Sequence, residues 1–472
     1  MEKIKKKITI ENILCVFLIL CPIFDISSFI FRNYWDTKLS ISTFIRPIIP
    51  MCFLLYILIK STWKERFIWV GIAFTYIGYG ACHLLVTKQM LTGASYGNLT
   101  NELQYVFNFT FLIIYFIIFI WTFILNKNNS NIIKLKKSVV IMDFIYVVSI
   151  ILAILLKKSS YTYMETSTGY KGWIESGNSL SAILLLSMFV MLSLITSKEI
   201  SNKFKIFNIV TVAITGLYLL TTIGTRTGLF GTFVAVGLFI VLEMIFSRNK
   251  KIIACGIILM IIGGTFVAIK GSNTIKRRKQ MKESRNTIID EKTGEVGNMT
   301  GDMLRIKNKI LDGTMEDGYM SEAQKQATIE LYDYAVKHNL AGNDTRTQQL
   351  MYNIFLVKEQ KSFVGILFGN GYKANFREMV MENELASMLL NFGIIGFLLY
   401  VGPLLGVLII SIKEGIKNIK NLNTAYVLEQ FALALALGLS WMSGYVLFAT
   451  SSMAIIVVIC MFILSDIDFE KS

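Results

Sequence analysis

The chain has 472 residues, 54% of them hydrophobic and 17% charged, with a formal net charge of +15. Its mean hydropathy of +0.57 excludes a soluble domain of ordinary composition. The basic surplus is spread through short connectors rather than gathered in one patch, which excludes nucleic acid as the partner that the charge serves.

A bilayer core takes about 20 apolar residues per helix. Twelve such runs follow one another at residues 9–31, 41–59, 67–87, 105–125, 138–156, 178–196, 206–223, 228–246, 252–269, 386–411, 424–446 and 450–465. None shows the ten-residue alternation of a barrel strand, so the fold is expected to be an all-α polytopic membrane protein of about 12 transmembrane helices. The first run lacks a small-residue cleavage site and opens a series, so it is expected to be retained. With the N-terminus taken as cytoplasmic, MEKIKKK, KSTWKER, NKNNSNIIKLKK, SKEISNKFK, SRNKK and KEGIKNIK fall inside. The alternate short connectors carry about one or two positive charges each. That bias predicts both termini in the cytoplasm of a multi-pass cell-membrane protein. All six cysteines lie inside apolar runs, where a thiol behaves as a small hydrophobe, and no disulfide framework or metal-ligand spacing appears.

The runs divide the chain into a bundle of about nine helices over residues 1–270, a polar loop over 271–385 and about three helices over 386–472. The same topology places the loop outside the cytoplasm. Its first part, IKRRKQMKESRNTIIDEKTGEVGNMTGD, is poor in apolar residues and is expected to be mobile or loosely docked. Its second part is patterned for two amphipathic helices. Ala327, Leu331, Tyr334, Ala335 and Leu340 follow a helical spacing behind Ser321 as N-cap, and Leu350, Ile354 and Leu356 follow Asp344 as a second cap. The turn-rich LFGNGYKANF then leads back to the membrane.

Few residues could carry chemistry. Arg226 stands in Gly-Thr-Arg-Thr-Gly between the seventh and eighth runs, which makes that unit a tight turn at the outer interface. A snorkelling arginine would also stand there, but the small neighbours admit a large ligand and a guanidinium recognises phosphate bidentately. Arg46, just inside the second helix, is either a second cation for the same pyrophosphate or a partner of a lipid headgroup. Arg346 opens the second loop helix. Glu382 and Glu384 in MENELASMLLNFGIIGFLLY are either solvated charge or, beside an apolar surface and a cation, a candidate general base. His83 and His338 are read as structural hydrogen-bonders, and Asp25, Asp143 and Glu243 as isolated acids. No Gly-x-x-x-x-Gly-Lys-Ser/Thr loop, His-Glu-x-x-His helix or Gly-x-Ser-x-Gly elbow is present.

The order GWIESGNSLSAILLL, TTIGTRTGLFGTFVAVGLF, then DTRTQQLMYNIF, LFGNGY and MENELASMLLNFGIIGFLLY, over roughly residues 170–405, resembles the O-antigen ligase and polymerase-like membrane proteins. The resemblance implies a C-type glycosyltransferase fold acting on undecaprenyl-pyrophosphate-linked saccharides at the outer membrane face. By position, Arg226 matches the arginine of the family's turn and Arg346 the one that opens its loop helix. Many ligases carry a His-Asn pair where MENEL stands here, so Glu382 or Glu384 would act instead. The implied activity is a polymerase that joins lipid-linked repeat units into a capsule, exopolysaccharide or teichuronic-acid-like polymer. The alternative is a ligase that passes finished glycan to a lipid or cell-wall acceptor. The donor is already activated, so no cofactor or metal is demanded; a repeat-unit flippase and a chain-length regulator are implied partners. A transporter or lipid flippase is the reading from another class, but the notable charges gather at one face and no series of buried carboxylates appears. An envelope scaffold would leave no single arginine essential.

Overall fold

The computed structural model describes residues 9–37, 40–90, 99–125, 129–283, 303–316, 320–340, 344–372 and 379–467. The basic MEKIKKK terminus, residues 284–302 of the loop segment expected to be mobile, and residues 373–376 of LFGNGYKANF lie outside these. The bundle begins with α1 (Ile10–Tyr34), α2 (Ile41–Lys60), α3 (Trp63–Met90), α4 (Leu99–Phe119) and α5 (Asn129–Leu155). A hairpin of β1 (Ser160–Tyr163) and β2 (Thr168–Gly172) follows, antiparallel with Tyr161 opposite Tyr170. Then come α6 (Gly177–Thr196), α7 (Asn202–Leu217, continued by a π-helical turn Tyr218–Thr222), α8 (Arg226–Phe246) and α9 (Lys250–Lys270). The loop supplies α10 (Asn273–Glu283), α11 (Met303–Leu311), α12 (Glu322–Lys337), α13 (Thr345–Gln360) and α14 (Phe363–Phe368). The chain closes with α15 (Glu384–Asn391), α16 (Gly393–Lys417), α17 (Thr424–Met442) and α18 (Thr450–Ser465).

Among the described residues, eleven helices are long and apolar enough to cross a bilayer. The twelfth expected span, α18, is a 16-residue helix. It is buried from Ser451 to Leu464 and packs against α1, α4, α5, α6, α16 and α17. Enclosed by protein on all sides, it need not match the lipid thickness that sets the length of an outer helix. The other central helix is α6, apolar on every face, with 94% of its most apolar window buried. By contrast α2, α3 and α9 have at most 17% of theirs buried and form the lipid-facing rim.

Two of the expected spans are cut short. The run 386–411 is broken into α15 and α16 at Phe392, where Gly393 takes φ +71°, a left-handed conformation that glycine adopts without strain. The run 424–446 stays helical only to Met442, and residues 443–449 are irregular. The first break is where the Phe368–Tyr372 turn packs, and the second is described with the site below.

In the loop, Ser321 caps α12 in a capping box with Gln324, as its spacing predicts. Asp344 makes no side-chain cap for α13. The two helices pack through Ala327, Leu331, Ala335, Tyr352 and Leu356, whereas Ile354 faces outward. The hairpin is new relative to the sequence pattern, and so is α10, part of the segment expected to be loosely docked. Asn273 Nδ2 donates to Thr222 O at 2.8 Å and Thr274 Oγ1 to Thr225 O at 3.0 Å, which anchors α10 on the turn before α8.

The loop re-enters the bundle through Phe368–Tyr372. Asn370 N donates to Leu390 O and Gly371 N to Asn391 O, which seats the turn against the α15–α16 break. From the other side, His83 Nδ1 lies 2.6 Å from Phe368 O and His83 Nε2 2.8 Å from Glu102 Oε1, which also accepts Tyr372 N at 2.9 Å. A carbonyl oxygen only accepts, so Nδ1 carries a proton, and a further proton lies between Nε2 and the carboxylate. His83 is thus a fully enclosed structural group. Gly369, at φ +88°, lies directly on the backbone of Asn391 and Phe392 with no room for a Cβ. Gly369→Ala should therefore lower the unfolding free energy by about 2 kcal/mol or more. A melt of the purified protein reads this, and an unchanged midpoint would remove the turn from the structural core.

Candidate active site

The site is built around the turn Gly224-Thr225-Arg226-Thr227-Gly228. The π-helical end of α7 delivers the chain to Gly224, whose φ of +83° reverses it against Gly169 of the hairpin. Thr225 then caps α8: its Oγ1 accepts Gly228 N at 3.1 Å and bonds Ser181 Oγ of α6 at 2.7 Å. Gly228 must be small because a Cβ there would crowd Leu219 O and Thr225 Oγ1. With α10 hydrogen-bonded to the carbonyls of Thr222 and Thr225, the turn is fixed from three sides. Arg226, the first residue of α8, is exposed and has no hydrogen-bond or ion-pair partner among the described residues.

Two further arginines come to the same end of the bundle. Arg277 of α10 lies with its guanidinium carbon 3.3 Å from the centre of the Tyr163 ring on β1, a cation–π stack. Burial lowers its pKa, Tyr163 opposes that, and the charges of Arg226 and Arg346 lower it further. All three guanidinium groups thus act on one region. Arg346 of α13 donates through Nε to Glu382 Oε2 at 3.0 Å and through Nη1 to Met442 O at 2.8 Å, at the end of α17. That ion pair is nearly half exposed, at 43% and 45%.

The two glutamates from the MENEL segment have different surroundings. Glu384 is 4% exposed. Its Oε1 and Oε2 each accept Val446 N at 3.0 Å, Oε2 accepts Leu447 N at 2.6 Å and Oε1 accepts Phe448 N at 3.0 Å. The carboxyl group therefore replaces the helical hydrogen bonds that residues 446–448 lack, which accounts for the interruption after Met442. Glu382 is exposed, and its Oε1 has no partner among the described residues. Tyr445, between Gly444 and the amides that bind Glu384, has φ +67°. Burial raises the pKa of its hydroxyl, and so do the charges of Glu382, Glu384 and Glu175.

Arg46 is held elsewhere. Its Nη2 donates to Asp25 Oδ1 at 2.7 Å, to Ser451 Oγ at 2.9 Å and to Cys21 O at 3.4 Å, while Tyr146 Oη donates to Asp25 Oδ2. Asp25 is therefore paired, not isolated. Arg277 was not singled out in the sequence, because the run IKRRKQMKE is low in apolar residues. The usable signal was the Gly-Ser-Asn turn that follows α9 directly and can start a new helix.

These features define a class: a polytopic membrane protein that gathers Arg226, Arg277 and Arg346, with the carboxylate of Glu382 beside Arg346, at the end of the bundle where its large loop packs. The chain matches the O-antigen ligase like membrane protein family over residues 7–470 and belongs to that family. It is accordingly a membrane enzyme of polysaccharide assembly, of a family that acts on lipid-linked glycans. Among curated proteins, none matches the chain.

The Glu384 carboxyl is pushed up to about 7 by burial, against the opposing pull of the Leu447, Phe448, Val446 and Tyr445 amides, from an ordinary value of 4.5. Between those values the folded protein holds more proton than the unfolded chain, so this group adds stability as the pH falls through 7 and adds no more below 4.5. Melts of the purified protein between pH 8 and 5 should show a gain of at most about 3 kcal/mol from this source. The same series on Glu384→Gln should lack it; an identical slope would assign the gain to other groups.

Proposed function

We propose that this protein polymerises undecaprenyl-pyrophosphate-linked repeat units into a surface polysaccharide, with the arginine-bearing end of the bundle at the outer membrane face. The observation that carries the proposal is Arg226: its backbone is fixed at the head of α8 by a turn secured from three sides, while its guanidinium has no protein partner among the described residues. Such an arrangement is suited to an anionic ligand, since the helix N-terminus and the arginine add their positive potentials.

In this reading Arg226 and Arg277 bind the donor pyrophosphate, and Arg346 reaches it from α13. Negative charge grows on the pyrophosphate as the glycosidic bond breaks, and cations already in place stabilise it without reorganisation. Glu382 takes the proton from the acceptor hydroxyl. It is favoured over Glu384 because its Oε1 is free and Arg346 fixes its other oxygen, whereas both Glu384 oxygens are engaged by amides. Glu384 has a positioning role, shaping the 443–449 segment that carries Tyr445. Arg46, neutralised by Asp25, joins α1, α2, α5 and α18 and does not touch the donor.

Arg226→Ala should lower turnover about 100- to 1,000-fold while the protein still inserts. Arg226→Lys should recover only part of that, because the charge survives but the fork geometry does not. Arg277→Ala should act in the same direction. The size distribution of lipid-linked saccharides in cells carrying each variant reads the effect. Single repeat units accumulating on the lipid support the polymerase; long polymer on the lipid would mean a ligase; normal polymer from Arg226→Ala would defeat the site.

Glu382→Gln should lose about 100- to 10,000-fold in turnover with the donor still bound. Single-turnover transfer from a synthetic lipid pyrophosphate donor separates that loss from loss of binding. A Glu382→Gln enzyme with full turnover would remove the base from this mechanism.

A further inference from the structure

Residues 443–449 leave the helix at the end of the bundle where the arginines gather, and the chain there is pinned at closely spaced points. Ser443 N donates to Leu439 O at 2.7 Å, Met442 O accepts Arg346 Nη1 at 2.8 Å, and the amides of Val446, Leu447 and Phe448 donate to Glu384. Gly444 is buried so close to the neighbouring segment that a Cβ would lie 2.9 Å from Glu382 O. Val446 and Leu447 are buried as well. Tyr445, between them, is the one residue of this stretch that is exposed, at 51%, and its backbone stands at φ +67°.

A tyrosine in the left-handed region carries a strain that glycine would not, and such strain persists only where the surroundings impose it. An aromatic anchor at the bilayer interface does not call for it. Trp441, in the last turn of α17, is equally exposed on helical backbone. What the strain achieves is to set the Tyr445 ring beside polar groups. The charges of Glu382, Glu384 and Glu175 all act on its hydroxyl, and two of these carboxylates belong to partly exposed ion pairs, Glu382 with Arg346 and Glu175 with Arg32. The Phe448 ring meets Tyr445 in a T-shaped contact at 6.2 Å and itself stacks on Tyr105 at 5.1 Å, so the exposed ring is braced by others.

A pyranose has C–H groups gathered on its face and hydroxyls around its edge. The face suits an aromatic ring, whose negative π surface attracts the C–H hydrogens, and the edge suits charged hydrogen-bonding groups. We propose that Tyr445 is the platform on which a sugar ring of the acceptor glycan stacks, with Glu382 beside that ring to accept from its hydroxyl. The assignment rests on the glycan reaction proposed above and adds the group that holds the acceptor. It also gives the strained backbone a use: Glu384 fixes the amides that follow Tyr445, and Gly444 fixes the chain before it against Glu382.

The test is binding of free oligosaccharide, released by mild acid from the lipid-linked saccharides of the host membrane, to the purified full-length protein in detergent, followed by saturation-transfer NMR. Released in this way the oligosaccharide has no pyrophosphate, so the titration reads the sugar site alone. Tyr445→Gly should weaken binding about tenfold or more while the melting midpoint holds or rises, because glycine takes φ +67° without strain. Tyr445→Asn, which also tolerates that backbone, is a second variant without the ring and should weaken binding equally. Tyr445→Phe should bind within about threefold of the intact protein, and Arg226→Ala should bind as the intact protein does. If the intact protein does not bind the oligosaccharide, if both ringless variants bind as tightly as it does, or if Tyr445→Phe is as weak as they are, the platform is overturned. Failure of the proposed reaction is read separately: normal polymer from Arg226→Ala defeats the pyrophosphate site, and a loss of binding in Tyr445→Gly upholds the platform beside that result.

Discussion

The carboxylate of Glu384 holds together the end of the molecule where the candidate site lies. Backbone amides that leave a helix inside a membrane protein need acceptors, since no lipid atom can supply them. Residues 446–448 find theirs in one side chain from a different segment. That contact lets α17 stop at Met442, lets α18 start afresh at Thr450 and ties both to the head of α15. It also places Met442 O where Arg346 donates to it, so the ion pair of Arg346 and Glu382 is positioned by the same carboxylate that interrupts the helices.

The bundle behind this end is organised by polar pairs in an apolar interior. Asp25, Arg46, Tyr146 and Ser451 link α1, α2, α5 and α18, and Lys136, Glu429 and Ser193 link α5, α17 and α6 at the other end. Buried ion pairs add little net stability, because desolvation offsets most of the attraction. Their effect is on register. The two central helices α6 and α18 are apolar on every face, so many rotations about their axes would bury similar area, and a hydrogen bond to Ser193 or Ser451 selects one. The gain is a defined orientation for Ser181, which bonds Thr225 and so reaches the Arg226 turn.

Much of this was legible in the sequence. Run length and hydropathy located the membrane helices, because the bilayer imposes length and apolarity on each separately. Ser321 was legible as a cap because capping is a local interaction, and Arg226 stood out because glycine and threonine on both sides form a recognisable turn. What escaped depended on contacts between distant segments. Glu384 and residues 446–448 are about 60 positions apart, so neither stretch alone shows that its helix is interrupted. Asp25 reads as isolated until Arg46 and Tyr146 are seen to meet it. Arg277 lies in a run whose lack of apolar residues suggested looseness, yet α10 is held by hydrogen bonds from Asn273 and Thr274 and by the ring of Tyr163. Hydropathy is blind to anchors of that kind.

The distribution of arginine partners sets Arg226 apart at this end of the bundle. Arg32 is bound to Glu175 at 2.9 Å, Arg46 to Asp25 and Arg346 to Glu382, and Arg277 is stacked on Tyr163. Each of these contacts joins two elements and so has a structural use. Arg226 joins nothing among the described residues, although Ser181, Thr274, Asn273 and Gly169 are all committed to fixing the turn beneath it. A guanidinium that served only to snorkel would not need its backbone fixed from three directions, because lipid phosphates are mobile and the side chain is long. A rigid base under an unpaired cation is instead what preorganised recognition of a developing anion requires. By that criterion Arg226 is the first residue of the proposed site to test, and Arg46 the last.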